Sequence, residues 1–168
     1  YIQALVDRAL SERDDSGHSI HSVYLIGFDT VAKEPIPVTT TAEVRGLIKE
    51  ISKKTANTNG GTDIQAALLK AAEIIKTARM SGGDQAFSRA TVVLCSDGGS
   101  TVDAQVVRNA FRDALGPTME SLFAFVAING TNPELIRLAK NESLGADVST
   151  YLEYPASDIA SLMASACL

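Results

Sequence analysis

Apolar positions along the chain switch repeatedly between helical spacing and unbroken runs of strand length. Ile2, Leu5, Val6 and Leu10 fall near helical spacing and predict the tail of a helix over 1–11, closed by the polar turn Glu12–Gly17. Val23 to Phe28 is a continuous apolar run, the pattern of a strand buried on both faces. Pro35-Ile36-Pro37-Val38 is short and proline-bounded, so it predicts an edge strand joined to the previous one by a hairpin. Thr41 is placed to cap a helix running to about Ser52, with Val44, Leu47, Ile48 and Ile51 as its apolar stripe. Ile64, Leu68, Ala71, Ile75 and Ala78 mark a longer helix, ended by Ser81-Gly82-Gly83-Asp84. A strand over Ala90–Cys95 follows, then a helix from about Val102 to Leu115 stopped by Gly116-Pro117. Leu122 to Ile128 is another buried strand, Pro133 opens a helix, Ser149 to Leu152 is a last short strand, and Ser157 caps a helix over Asp158–Ala166. This alternation predicts one α/β domain over 1–168, with a mostly parallel sheet covered by helices.

Two loops in this order carry oxygen donors. Asn59-Gly60-Gly61-Thr62-Asp63-Ile64 delivers a threonine hydroxyl to the start of the long helix, and Ser96-Asp97-Gly98 follows an apolar strand directly. Strand and helix ends of this kind border the ligand crevice of an open α/β sheet. Oxygen-only donors suit Mg²⁺, Mn²⁺ or Ca²⁺ rather than zinc or copper. Gly60-Gly61 frees the backbone on the approach to Thr62, and Gly98-Gly99 permits a sharp turn away from Asp97. Each motif also has a plain structural reading: a loop with a threonine N-cap for the first, a strand-ending turn for the second.

Taken together, the two motifs and the order of elements resemble the von Willebrand factor A family, which includes the inserted domains of integrins. Ile128-Asn129-Gly130 and the helix Leu135–Ala139 extend the resemblance over essentially the whole chain. It implies a doubly wound, Rossmann-type three-layer sandwich: six strands, mostly parallel, with one antiparallel edge strand and helices on both faces. It also implies a metal-ion-dependent adhesion site, with Mg²⁺ (or Mn²⁺ or Ca²⁺) bound directly by Thr62 and mainly through water by Asp97. A carboxylate from a protein partner would fill the open coordination position, making the chain an adhesion module rather than an enzyme. Gly60, Gly61, Asp63, Gly98, Ser100 and Asn129 would border the partner. The family's third segment is an Asp-x-Ser-x-Ser run ending its central strand. Asp14-Asp15-Ser16 follows a helix and does not match it, so the resemblance puts that strand upstream of Tyr1.

Two alternatives stand beside this expectation. A doubly wound enzyme would bind a phosphorylated ligand at the Gly60-Gly61 loop, since helix N-termini attract phosphate, although the lysine of a phosphate loop is missing. A structural A-type domain would keep the fold with a vestigial site. Composition narrows the remainder. With 20 acidic and 15 basic residues the net charge is −5, which argues against a nucleic-acid footprint. No apolar run approaches the ~20 residues of a membrane helix. Cys95 reads as a small buried hydrophobe and both cysteines as reduced, which favours the cytoplasm. His18 and His21 read as solvated, as do Glu34, Glu43 and Glu50; Asp29 reads as a hairpin-turn residue. No Gly-x-Ser-x-Gly elbow supports a serine hydrolase.

Overall fold

The structure is a computed structural model that describes residues 2–40, 42–44, 46, 61–81, 87–128, 130–140 and 144–154. Its elements run α1 (Ile2–Ser11), β1 (Val23–Leu25), β2 (Ile36–Val38), α2 (Ile64–Ser81), β3 (Arg89–Ser96), α3 (Ala104–Leu115), β4 (Glu120–Ile128), α4 (Pro133–Ala139) and β5 (Val148–Tyr154). The predicted helix after Thr41 is helical at Ala42–Val44 and Gly46, and its other positions lie outside the described residues, as does the predicted helix 158–166.

The strands form two sheets. β3, β4 and β5 are parallel in that order, Arg89 facing Glu120 and Leu122 facing Val148; β1 and β2 form a separate antiparallel pair, Val23 facing Val38. The fold is therefore α/β with a small parallel sheet. Among the described residues the hairpin does not join that sheet.

Burial follows position in the sheet. β4 lies in the middle, and all of its residues from Phe123 to Ala127 are buried. Among the described residues β3 pairs on one side only, and its residues alternate between exposed, half-buried and buried. The predicted strand over Val23–Phe28 is shorter than its apolar run, ending at Leu25, and Tyr24 is exposed. Phe28 leaves the strand, bridges to Ala32 and packs against the main core.

That core joins one face of α2 (Ile64, Leu68, Ala72) to Phe111 of α3, Phe123 and Phe125 of β4, and Leu135 and Leu138 of α4. The Phe111 and Phe123 rings meet edge to face with centroids 4.7 Å apart, a favoured aromatic geometry. At its rim Lys76 pairs with Asp113 at 2.6 Å, and Arg79 donates to the Ala114 carbonyl at 2.7 Å. These contacts tie the end of α2 to a helix C-terminus, where a cation is favoured. A second, smaller cluster (Val6, Leu10, Val38 and Val44) lies under the hairpin.

Candidate functional site

The parallel register brings the C-terminal ends of β3 and β4 to one edge, with Ser96 facing Ala127. Asp97 and Gly98 leave that edge directly. Thr62 precedes α2, and its side chain lies against Gly98: a Cβ at Gly98 would overlap the Thr62 hydroxyl and stand 3.2 Å from the Thr62 Cβ. Thr62 and Gly98, 36 positions apart, thus meet, and glycine at 98 is what lets them. Gly61 contrasts with it, because its backbone is not left-handed and a Cβ there would meet nothing within 4 Å. The contact that requires glycine is the one at Gly98.

Capping explains which hydroxyls remain available. α2 begins at Ile64, so Asp63 occupies its N-cap, and Asp63 Oδ1 accepts from the Ala66 N–H at 2.8 Å. Ser100 reaches across to accept from the Ile64 N–H at 3.0 Å. The cap therefore falls one residue later than the plain reading of this loop, and Thr62 is not spent on it. Asp97 is exposed and makes no hydrogen bond or ion pair among the described residues. Asp63 and Ser100, expected to border a partner, serve α2 with the atoms named above. Gly60 and Asn129 lie outside the described residues.

Asp29 is buried, and it holds the hairpin turn as expected. Its Oδ1 accepts from the Val31 N–H at 3.0 Å, and Oδ2 lies 2.8 Å from Lys33 Nζ. The Lys33 hydrogen bond, then the Val31 N–H, hold its carboxyl below the usual aspartate range. Its backbone carbonyl accepts from the Asp63 N–H, so the hairpin is tied to the segment carrying Thr62. His18 and His21 are exposed, as expected, and each has a carboxylate beside it: His21 Nε2 lies 2.6 Å from Glu12 Oε2, and His18 Nδ1 3.8 Å from Asp14 Oδ2. Glu34 and Glu43 are exposed; Glu43 also accepts from the backbone of Thr39 and Thr40. Glu50 lies outside the described residues.

Sequence reasoning missed the residues that hold the 97–103 loop. Asn132 is buried, caps α4 and donates through Nδ2 to the Gly98 carbonyl at 2.7 Å. Glu134 Oε1 accepts from the Val102 N–H at 2.6 Å, and Arg137 donates to the Val102 carbonyl. Arg137 also holds the Glu134 carboxyl below its ordinary range. The Asn132-Pro133 pair is an N-terminal helix signal, but the reach to Gly98 has no local signature.

Chemically, the donors at this edge are a hydroxyl and a carboxylate, which match a hard cation in kind. Cys95 supplies no thiolate nearby, since burial pushes its thiol up to about 11. Among the described residues no three His, Cys, Asp or Glu side chains are grouped to hold a metal by themselves. No helix among the described residues is long and apolar enough to cross a membrane. Compared with known proteins, the chain matches no family model and no curated protein.

Proposed function

We propose that this chain is a recognition module of the von Willebrand factor A type, in which a hard divalent cation at the sheet edge bridges to a carboxylate of a protein partner. The observation that carries the reading is the packing of Thr62 against Gly98, beside an exposed Asp97 that no other described group engages. A threonine hydroxyl left free of capping and a carboxylate unpartnered among the described residues, on adjoining loops, are what a cation bridge needs from this side.

Thr62 and Asp97 supply two donors, and a cation of this class takes six or more. The reading therefore includes a further strand, carrying the Asp-x-Ser-x-Ser run, between the hairpin and β3. One feature supports it: among the described residues the hairpin and the parallel sheet stand separate. The phosphate alternative has less support. Asp63 places a carboxylate at the N-terminus of α2, and the Ile64 and Ala66 amides that would cradle phosphate already have partners.

Thermal unfolding with added Mn²⁺, Mg²⁺ or nucleotide tests the reading. A cation at about 100 times its Kd adds ~2.7 kcal/mol of stability. Stabilisation by Mn²⁺, reversed by chelator and lost in Thr62→Ala and Asp97→Ala, is expected. Stabilisation by nucleotide alone would replace this reading with the phosphate-binding one.

A further inference from the structure

The Asp97–Gly98 turn is held only in part from its own strand, where the Ser96 hydroxyl accepts from the Gly98 N–H at 3.2 Å. Glycine is needed at 98 for Thr62 to fit, and Gly99 follows it, so the backbone is most permissive where the site requires a fixed shape. The structure supplies order from α4. Asn132 Nδ2 donates to the Gly98 carbonyl at 2.7 Å, and the Ser96 hydroxyl donates to the same oxygen at 2.9 Å. Asn132 Oδ1 meanwhile accepts from the Glu134 and Leu135 N–H groups at 3.1 and 3.2 Å, and its backbone N–H donates to the Tyr151 hydroxyl at 2.9 Å.

The two ends of this carboxamide answer opposite demands. The first turn of α4 needs an acceptor, and the Gly98 carbonyl, already served by Ser96 from its own strand, takes its second donor from α4. Asp and Ser cap a helix about as well as Asn, but a carboxylate offers no donor, and a serine hydroxyl is too short to serve both places. Capping alone therefore leaves the amide nitrogen unexplained. Asn132 is also buried, at 7 % exposure, so its hydrogen bonds form where water does not compete freely.

We propose that Asn132 is a positioning residue for the site: it fixes the Gly98 end of the turn from α4, so that Asp97 and Thr62 are held together before any cation arrives. The inference rests on the proposed function only for its metal readout. Its structural half stands on the unliganded protein.

The test uses Asn132→Asp and Asn132→Ser, which keep a capping oxygen and remove the amide donor. Amide hydrogen exchange of the 97–103 loop and of α4 is compared with wild type, and Mn²⁺ affinity is titrated in parallel. Loss of one such hydrogen bond is expected to speed exchange at Gly98–Thr101 by about five- to tenfold and to weaken Mn²⁺ binding similarly. Protection in α4 should be unchanged. Unaltered loop exchange in both variants overturns the proposal. So does equal loosening of loop and helix, which would reduce Asn132 to a cap. If the loop loosens but wild type binds no Mn²⁺, the anchoring stands and the cation reading falls. If wild type binds Mn²⁺ and both variants bind it equally well, Asn132 does not position the site for a cation.

Discussion

The parallel sheet and the hairpin are built from similar residues but stand on very different foundations. Strands β3 to β5 share a continuous core with α2, α3 and α4, whereas the hairpin rests on Val6, Leu10, Val38 and Val44. Buried apolar area sets how much of a region's stability is its own, and regions with few buried contacts open locally at lower cost. The candidate site joins the two. Asp97 and Gly98 hang from the deep region, while Asp63, between Thr62 and α2, is tied to the hairpin through the Asp29 carbonyl. One side of the site is thus held firmly, and the other is braced by the region with the smaller core.

Removing core side chains should expose that contrast most strongly. Phe123 is 1 % exposed and touches both Phe111 and Phe125, so Phe123→Ala is expected to cost about 3–5 kcal/mol. Val38→Ala removes two methyl groups from the small cluster and should cost about 2 kcal/mol. Urea unfolding gives both values. Hydrogen exchange should show Val38→Ala loosening β1 and β2 while β4 keeps its protection. Equal loosening of both sheets would mean that they unfold as one unit.

The contact between the two sides is the next target. Gly98→Ala drives a methyl group into the Thr62 hydroxyl, an overpacking expected to cost about 1–3 kcal/mol. In a Thr62→Ala background much of that cost should disappear, because the overlapping oxygen is gone. A double-mutant cycle measures this coupling. Strict additivity would show that the two residues do not meet in solution.

Acid should separate the regions by a smaller margin. Asp29, held low by Lys33, favours its charged form in the folded hairpin. Its contribution is therefore present above the unfolded aspartate value of ~4 and lost as pH falls through the lower folded value. Asp113, held low by Lys76, and Asp147, held low by the Ser121 N–H, do the same for the parallel region. With less core beneath it, the hairpin should lose its Val38 methyl signal at a higher pH than the Leu138 signal of α4 disappears. Asp29→Asn should flatten the hairpin's response without moving that of Leu138.

How much of this was legible in the sequence also divides along the same line. In the parallel region, unbroken runs such as Leu122–Ile128 located the strands to within two residues, because a strand buried on both faces has a run that matches its extent. At the hairpin the same rule overreached. Gly27 and Phe28 continue the apolar run of Val23–Leu25 but belong to the turn and the main core. Hydrophobicity records burial without naming the element that achieves it. The site was legible as two motifs, and their meeting depends on the absence of a Cβ at Gly98. The cap moved from Thr62 to Asp63 because both residue types can serve it, and only the start of α2 decides. Asn132 was invisible as an anchor, since its partner lies 34 residues away and becomes a neighbour only when α4 packs under the loop.

The most direct test of the central claim is where a paramagnetic cation sits. Substoichiometric Mn²⁺ added to the ¹⁵N-labelled chain should broaden the amide signals of Thr62, Asp97 and Gly98 first, with recovery on chelation and no such focus in Asp97→Ala. Broadening spread over the acidic surface, or centred on Glu12, Asp14 and the two histidines, would contradict a cation site at the sheet edge.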